Sequence, residues 1–353
     1  MLWNTARELS RVSVTVVAPD HRGARVFDAA QPFAVRRVPS PSILRRMRFM
    51  ALGVSSLQLA RRHRRSVLLC GHPYMSPAGL AGARAFGVPF VVWAHAKELL
   101  AWQSVLRRCL PAAAAVLVIS EYTRTLVAAL GVRPERTVLI PYAPDCGIAD
   151  ATTISLGANK NTHRPTILTV ARMDELYKGH DVMLRALPLI AARIPDVQWI
   201  VVGDGPLRSY YEKLARMYGV DRLVYFKGAV SRNERDHWLA ACDVFVMVSR
   251  DRRIDGGGEG FGISFLEANA FGKPVVAGRA GGSVDAVVDG ITGRLVEPED
   301  PIEVAEVVSL LLLSPELAHQ LGESGRVRIQ SDLSWARTAA VIEDVLLDVA
   351  RKD

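Results

Sequence analysis

Short apolar runs alternate with longer helix-like stretches along almost the whole chain, and this alternation constrains the fold more than any other feature. Val12–Val17, Ser66–Cys70 and Thr166–Val170 are five or six residues long and mostly apolar, and the first and third are rich in β-branched side chains, as buried strands are. Strands that alternate with helices form parallel sheets covered by helices. The sequence therefore predicts an α/β fold, with helices that include residues 42–62, 98–109 and 180–193.

The chain is too long for a single core. Its 353 residues correspond to about two domains, and proline, glycine and asparagine interrupt the alternation over 141–164. We predict two Rossmann-like domains, 1–145 and 160–332, with a last helix over 335–353 that packs back on the first. Parallel sheets bind ligands at the carboxyl ends of their strands, so we expect the two domains to face each other across a cleft.

Positive charge is concentrated in the first domain. Residues 1–145 contain 20 Lys and Arg against 7 Asp and Glu, whereas the rest of the chain has a net charge of −5. The amphipathic stretch 42–65 contributes much of this charge. It is either a solvated cationic face or a peripheral contact with anionic lipid. No recognised nucleic-acid motif accompanies the charge, so we do not expect nucleic-acid binding.

Other features place the chain outside several classes of protein. Its longest apolar run, Leu110–Ser120, is about half the ~20 residues that span a bilayer, and we interpret it as a buried strand. Four cysteines show no metal-ligand spacing and are expected to be reduced thiols in the cytoplasm: Cys70, Cys109, Cys146 and Cys242. We expect no bound metal and no cofactor.

The glycine-rich segment Gly256–Glu267 is the most informative motif. It follows a predicted strand and leads into a predicted helix, and the free amides at such a helix start favour an anion such as a diphosphate. Glu259 and Glu267 stand eight residues apart in it. Carboxylates would repel a phosphate, so we interpret them as acceptors for sugar hydroxyls.

Several motifs in a fixed order resemble the retaining glycosyltransferases of family 4, which have the GT-B fold. The resemblance is strong over about 165–345 and weaker over 60–145. It rests on six short segments that match motifs of the family and occur in the same order: Val170-Ala171-Arg172-Met173, Lys178-Gly179-His180, Val202-Gly203-Asp204-Gly205-Pro206, Glu259–Glu267, Gly272-Lys273-Pro274 and Asp289-Gly290-Ile291-Thr292-Gly293.

This resemblance implies a role for particular residues. Arg172 and Lys178 would bind the donor diphosphate and neutralise the charge of the leaving group, although Arg172 can also pair with Asp174 or Glu175. Glu259 would contact the donor sugar and Glu267 the ribose hydroxyls. His95, at the end of a predicted strand of the first domain, would lie next to the donor sugar. The remaining donor contacts would come from Gly203, Lys227, Gly260, Phe261, Gly262 and Ile263.

The resemblance implies transfer of a hexose from a nucleoside diphosphate sugar to a hydroxyl, with retention at the anomeric carbon and no metal. GDP-mannose is the preferred donor and a UDP-hexose the alternative. The acceptor would be a lipid, a glycan or a metabolite, and the location would be cytoplasmic, with peripheral contact to the inner face of the membrane. Two other functions remain: a nucleotide-sugar-binding protein with little activity, and a GT-B epimerase.

Two features depart from the family pattern. The usual Gly-Gly-x-x-Glu loop reads Gly281-Gly282-Ser283-Val284-Asp285, and we assign no catalytic role to the shorter acid. The family also begins with a strand and a Gly-Gly loop, whereas Thr5–Leu9 already resembles the end of the helix that follows them. Our hypothesis is that the first strand is missing because the chain is truncated at its N-terminus.

Overall fold

A computed structural model describes residues 2–39, 45–62, 65–144, 164–251 and 257–352, with only the backbone of 45–48. These residues divide into two compact units. Unit 1 comprises Met1–Tyr142 together with Ser334–Asp353, and unit 2 comprises Ala143–Leu333. Most of the predicted boundary segment, 141–164, lies outside the described residues.

Unit 1 contains a four-stranded parallel sheet and a separate parallel pair of strands. The sheet has the order β3–β4–β5–β6, formed by Leu68–Cys70, Phe90–Trp93, Ala115–Val118 and Thr137–Leu139. The pair consists of β1 (Thr15–Pro19) and β2 (Ala34–Val38). Every residue of β4 and β5 is buried, as expected for inner strands of a parallel sheet with helices on both faces.

Eight helices of the described residues belong to unit 1. In chain order they are α1 (Leu2–Glu8), α2 (Ala24–Ala29), α3 (Arg45–Ala60), α4 (Ser76–Phe86), α5 (Ala96–Ala101), α6 (Gln103–Cys109), α7 (Glu121–Ala129) and, from the other end of the sequence, α15 (Trp335–Lys352).

Several predicted elements of unit 1 are wrong in their extent. The strand expected over Val12–Val17 is Thr15–Pro19, and the strand expected over Ser66–Cys70 begins only at Leu68. The helix expected over 98–109 is two helices, because the backbone turns at Trp102, which has φ −125° and ψ 32°. The strand expected over Leu110–Ser120 is confined to β5. Leu110–Ala112 forms a 3-10 turn instead, since Pro111 fixes φ near the helical range and has no N–H to donate to a neighbouring strand.

Unit 2 contains a six-stranded parallel sheet with the order β12–β11–β10–β7–β8–β9. Its strands in chain order are β7 (Thr166–Val170), β8 (Gln198–Val202), β9 (Val224–Gly228), β10 (Val244–Met247), β11 (Val275–Gly278) and β12 (Gly293–Val296). Its helices are α8 (His180–Arg193), α9 (Arg208–Met217), α10 (Arg232–Ala241), α11 (Ile263–Ala270), α12 (Ser283–Ala286), α13 (Pro301–Leu313) and α14 (Pro315–Asp332).

The strand order of unit 2 places a topological switch point between β7 and β10. The chain passes from β7 outward to β8 and β9, then returns to the opposite side of β7 to form β10. Connections from the two neighbouring strands therefore leave in opposite directions, and the gap between them at the carboxyl ends is where open α/β sheets bind ligands. The segments that follow β7 and β10 are 171–179 and 248–262, which carry most of the predicted site residues.

Candidate functional site

The backbones of the loops after β7 and β8 touch each other. Gly203 has φ +134°, and a Cβ on it would lie 2.0 Å from the Ala171 carbonyl oxygen, so no other residue fits here without displacement. The Met173 amide donates to the Asp204 carbonyl at 3.0 Å. These contacts fix the backbone on both sides of Arg172, and they give Gly203 a structural role.

The side chain of Arg172 extends into solvent. It is 65% exposed, and its Nη1 lies 3.0 Å from Asp174 Oδ2. This ion pair is the predicted alternative to phosphate binding by Arg172. Exposed pairs of this kind contribute at most about 1 kcal/mol, so a diphosphate can replace Asp174 as the partner of the guanidinium at little cost.

Lys178 is held at the end of a 3-10 turn, Leu176–Lys178. The buried Arg250, which follows β10, fastens this turn: its amide donates to the Tyr177 carbonyl at 2.9 Å, and its Nη2 donates to the Leu176 carbonyl at 3.1 Å. The same Nη2 bonds both carboxylate oxygens of Asp181, in the first turn of α8. No sequence motif indicates this positioning role of Arg250, which becomes evident only in the structure.

Lys178 and Glu259 form a nearly buried ion pair across the switch point. Nζ lies 2.6 Å from Oε2, and the two side chains are 13% and 11% exposed. Burial lowers the pKa of Lys178, but Glu259 and Tyr177 together outweigh burial and raise it above its ordinary value. Lys178 is therefore a cation at neutral pH, and the structure brings together the residues predicted to meet the diphosphate and the donor sugar.

Gly281 and Gly282 contact the backbone of Glu259 and Gly260. The Gly282 amide donates to the Glu259 carbonyl at 2.7 Å, and a Cβ on Gly282 would lie 2.1 Å from the Gly260 carbonyl oxygen. Gly281 has φ +54° and approaches Glu259 in the same way. The glycines of the Gly281–Asp285 loop thus help to fix the backbone of Glu259, a role that was not predicted from the sequence.

The glycine-rich segment ends where α11 begins. Gly262, with φ +92°, precedes the first helical residue, Ile263, and no side chain of the described residues caps the helix. Phe261 is buried. An uncapped helix start at the carboxyl edge of a parallel sheet is suited to bind an anion, as predicted for the amides of Gly260 to Ile263.

Two further predicted donor residues lie on α11 and β9. Glu267 is buried in α11, and its Oε1 accepts a hydrogen bond from Arg235 Nη1 at 3.0 Å. Lys227 lies on β9, with its Nζ 4.9 Å from the Trp238 ring centroid and 5.7 Å from that of Tyr225. Cation–π contacts of this kind hold an ammonium beside flat aromatic surfaces, a setting compatible with a nucleotide base.

His95 belongs to unit 1 and follows β4, as predicted. Its ring stacks near Trp93, at 6.3 Å between centroids, and has a hydrogen bond to the backbone of Gly71. Burial lowers the pKa of His95 to about 4, against the opposing charge of Glu98, so the imidazole is neutral at pH 7. The neighbouring His72 lies 3.0 Å from Glu98 through its Nε2, a pair that the sequence analysis missed.

Within the described parts of the chain, no three His, Cys, Asp or Glu side chains are grouped so that they could hold a metal ion. No helix in those same ranges is long and apolar enough to cross a membrane. Cys70, Cys109 and Cys242 are buried free thiols, while Cys146 lies outside the described residues.

Both parts of the chain match known protein families. The family described as "Glycosyl transferases group 1" matches residues 151–328, and "Glycosyltransferase Family 4" matches residues 1–146. A GDP-mannose-dependent alpha-(1-6)-phosphatidylinositol monomannoside mannosyltransferase of Mycolicibacterium smegmatis is 30% identical, over 94% of this chain and 90% of that protein. The protein of the same description from Mycobacterium tuberculosis is 32% identical, over 95% and 89%.

A solved structure agrees on the fold. The crystal structure of HepE from Anabaena in complex with UDP superposes with a TM-score of 0.77 at 20% identity, and the match covers 98% of this chain and 94% of that one.

Proposed function

The chain belongs to the family 4 glycosyltransferases of the GT-B fold, and on that premise we propose that it transfers mannose from GDP-mannose to a hydroxyl of an inositol-containing lipid, with retention at the anomeric carbon. The choice of donor and acceptor class is supported by relatives that align over nearly the whole chain and are described as GDP-mannose-dependent phosphatidylinositol monomannoside mannosyltransferases. We further propose that it acts in the cytoplasm.

The Lys178–Glu259 pair at the switch point of unit 2 is the observation that carries the proposal. A nearly buried cation pairs with a carboxylate in the loop that leads into the uncapped start of α11, and this combination offers a place for a diphosphate and a place for a sugar hydroxyl. Lys178 and Arg172 would neutralise the charge that grows on the leaving GDP, so this part of the chemistry is assigned to protein cations.

The remaining residues complete the proposed mechanism. The backbone amides of Gly260 to Ile263 would bind phosphate oxygens, and Glu267 would accept hydrogen bonds from the ribose diol. The neutral His95 would lie beside the mannose, where a neutral imidazole can donate or accept a hydrogen bond. Attack of the acceptor hydroxyl from the face of the departing phosphate would allow a phosphate oxygen to take the proton, which accounts for retention without an enzymic nucleophile.

A transfer assay tests the function directly. The purified protein would be incubated with GDP-mannose or UDP-glucose and with vesicles that contain phosphatidylinositol monomannoside, and the lipid product would be measured by mass spectrometry. We expect mannosylated lipid with GDP-mannose and an α-linkage by NMR. Lys178→Met should lose nearly all activity. Binding of GDP without any transfer would favour a binding protein, and turnover of GDP-mannose without acceptor would favour an epimerase.

A lipid acceptor requires a protein surface that can contact a membrane, and α3 has exposed apolar side chains suited to such a contact. Met50 and Val54 are 70% and 55% exposed on this helix, and Arg61, Arg62 and Arg65 follow it in the sequence. Apolar side chains flanked by arginine suit the interface of an anionic bilayer. We propose that unit 1 contacts the membrane through this face. Met50→Ser with Val54→Ser should reduce co-sedimentation with anionic vesicles, and unchanged co-sedimentation would contradict the proposal.

A further inference from the structure

Arg235 joins two helices at the place where the nucleotide ribose is expected. It lies in the first turn of α10, whereas Glu267 lies in the middle of α11. Their side chains are 21% and 8% exposed, and Nη1 of Arg235 lies 3.0 Å from Oε1 of Glu267. The guanidinium is therefore the neighbour of a carboxylate that the proposed function assigns to substrate.

A second carboxylate holds the guanidinium from the other side. Nε and Nη2 of Arg235 both donate to Oδ1 of Asp236, at 2.9 and 2.8 Å. The Asp236 side chain is only 7% exposed, and Arg232 approaches its other oxygen at 3.8 Å. Because the guanidinium is planar and rigid, two fixed nitrogens determine where the third points. Asp236 thus directs Nη1 of Arg235 at Glu267.

The Arg235 guanidinium offsets two effects that disfavour an ionised Glu267. A carboxylate that is buried near a diphosphate is disfavoured by desolvation and by repulsion from the phosphate charge. Only the ionised carboxylate offers both oxygens as acceptors, which is the form that can receive the two hydroxyls of a ribose. A guanidinium within hydrogen-bond distance favours that form and restricts the rotamer of the glutamate.

We propose that Arg235 is a positioning residue for the donor, which holds Glu267 ionised and oriented toward the ribose diol without itself contacting the reacting atoms. The inference rests on the proposed function, in which Glu267 binds the ribose. It adds a residue to the donor site that neither the motifs nor the comparisons with relatives assign.

Ribose discrimination tests the proposal by isothermal titration calorimetry with GDP and 2′,3′-dideoxy-GDP. The wild type should bind GDP at least about 10-fold more tightly, as expected for lost hydrogen bonds to a charged group. In Arg235→Met the Kd of GDP should rise about 10-fold, whereas that of the dideoxy nucleotide should change less than about 3-fold. The KM for the donor should rise likewise, with kcat within about 2-fold of the wild type.

Matched variants separate positioning from general damage. Arg326→Met removes another arginine that is paired with a carboxylate, Glu323 on α14, at 2.8 Å, and it should leave both nucleotide affinities unchanged. Because Arg235→Met leaves one oxygen of the buried Asp236 without its guanidinium, while Arg232 lies 3.8 Å from the other oxygen, the double variant Arg235→Met with Asp236→Asn guards against unfolding. Arg235→Lys keeps the charge but loses the planar geometry, so it should recover only part of the discrimination.

The outcomes distinguish the inference from the function on which it rests. If the wild type binds GDP and its dideoxy analogue equally well, the assignment of Glu267 to the ribose is wrong. If the wild type discriminates and the folded Arg235 variants discriminate equally well, Arg235 has no positioning role. An equal loss of affinity for both nucleotides would show a purely structural role and would also overturn the inference.

Discussion

Lys178 carries a charge in a nearly buried position, and its removal affects both stability and binding. Without the ammonium, the Glu259 carboxylate is left buried and unpaired. We expect Lys178→Met to lower the free energy of unfolding by about 3 kcal/mol and to abolish GDP binding, as measured by urea denaturation and calorimetry. Lys178→Met with Glu259→Gln should recover most of the stability and none of the binding.

Arg172 is the control for that experiment. Because its guanidinium is largely exposed, Arg172→Met should change stability by less than about 0.5 kcal/mol while it also weakens GDP binding. A large loss of stability in Arg172→Met, or none in Lys178→Met, would contradict the assignment of one exposed and one buried cation.

His180 should make stability depend on pH. Burial, and next the charge of Lys178, lower its pKa from 6.5 to about 3. Between those values the unfolded chain binds a proton that the folded chain does not. The free energy of unfolding is then lost as the pH falls through this window, by up to about 1.4 kcal/mol per pH unit. His180→Gln should reduce the slope of stability against pH, measured by urea denaturation from pH 7 to 5.

The exposed His319 provides the comparison. His319→Gln in α14 should leave the wild-type slope in place. If His180→Gln and the wild type lose stability equally between pH 7 and 5, the histidine is not held neutral in the fold.

At the same scale, the sequence identifies the residues of the site more readily than their partners. Arg172, Lys178, Glu259 and Glu267 stand in motifs whose type and order are visible in the chain. The partners Arg235 and Arg250 are distant from Glu267 and Lys178 in sequence, and no periodicity or spacing connects them. Such pairs depend on how helices and loops meet in three dimensions, so they become evident only in the structure.

At the scale of the element, periodicity predicts most of unit 2. The expected strand Thr166–Val170 and the expected helix over 180–193 have the bounds that the structure shows, because Pro165 precedes the strand and because Gly179 and Pro195 flank the helix. Prediction fails where a local backbone feature interrupts an otherwise suitable pattern. Trp102 divides one expected helix, and Pro111 shortens an expected strand.

A close backbone contact between elements gives a further prediction. In Gly203→Ala, the new methyl group would overlap the Ala171 carbonyl, which should displace the loop that carries Arg172. We expect a loss of about 3 kcal/mol or more in the free energy of unfolding, measured by thermal and urea denaturation, together with weaker GDP binding.

A substitution at Gly219 distinguishes the effect of backbone strain from that of steric overlap. It also has a positive φ, +68°, but a Cβ on it would meet no atom within 4 Å. Gly219→Ala should therefore cost only about 1 kcal/mol and leave binding intact. Equal effects of the two substitutions would mean that strain alone, and not the contact with Ala171, requires glycine at 203.

At the scale of the whole molecule, unit 1 is assembled from both ends of the chain. In α15, Glu343 is almost fully buried and accepts hydrogen bonds from the amides of Ser10 and Arg11 and from the Arg11 side chain. Thr338 donates to the Pro141 carbonyl at 2.7 Å. These contacts join the last helix to the start of the chain and to the end of the first sheet.

The buried Glu343 should therefore stabilise unit 1 selectively. Glu343→Ala removes the acceptor of two amides and should lower the stability of unit 1 by about 2 kcal/mol. Hydrogen exchange should accelerate in β3 to β6 and remain unchanged in β7 to β12. The neighbouring Asp344, which is 69% exposed and also pairs with Arg11, is the control, since Asp344→Ala should alter neither sheet. Equal acceleration in both units would contradict this division.

Because α15 packs in unit 1 but follows unit 2 in the sequence, the two units leave the ribosome in an interleaved order during synthesis. A ribosome releases unit 2 in full before it releases the helix that completes unit 1. At roughly 5–20 residues per second, the segment from Ala143 to Leu333 emerges over roughly 10–40 s. During that interval the first sheet is already outside the exit tunnel but lacks its last helix. The part of the protein that is translated first therefore cannot complete its packing until the end of the chain has left the ribosome.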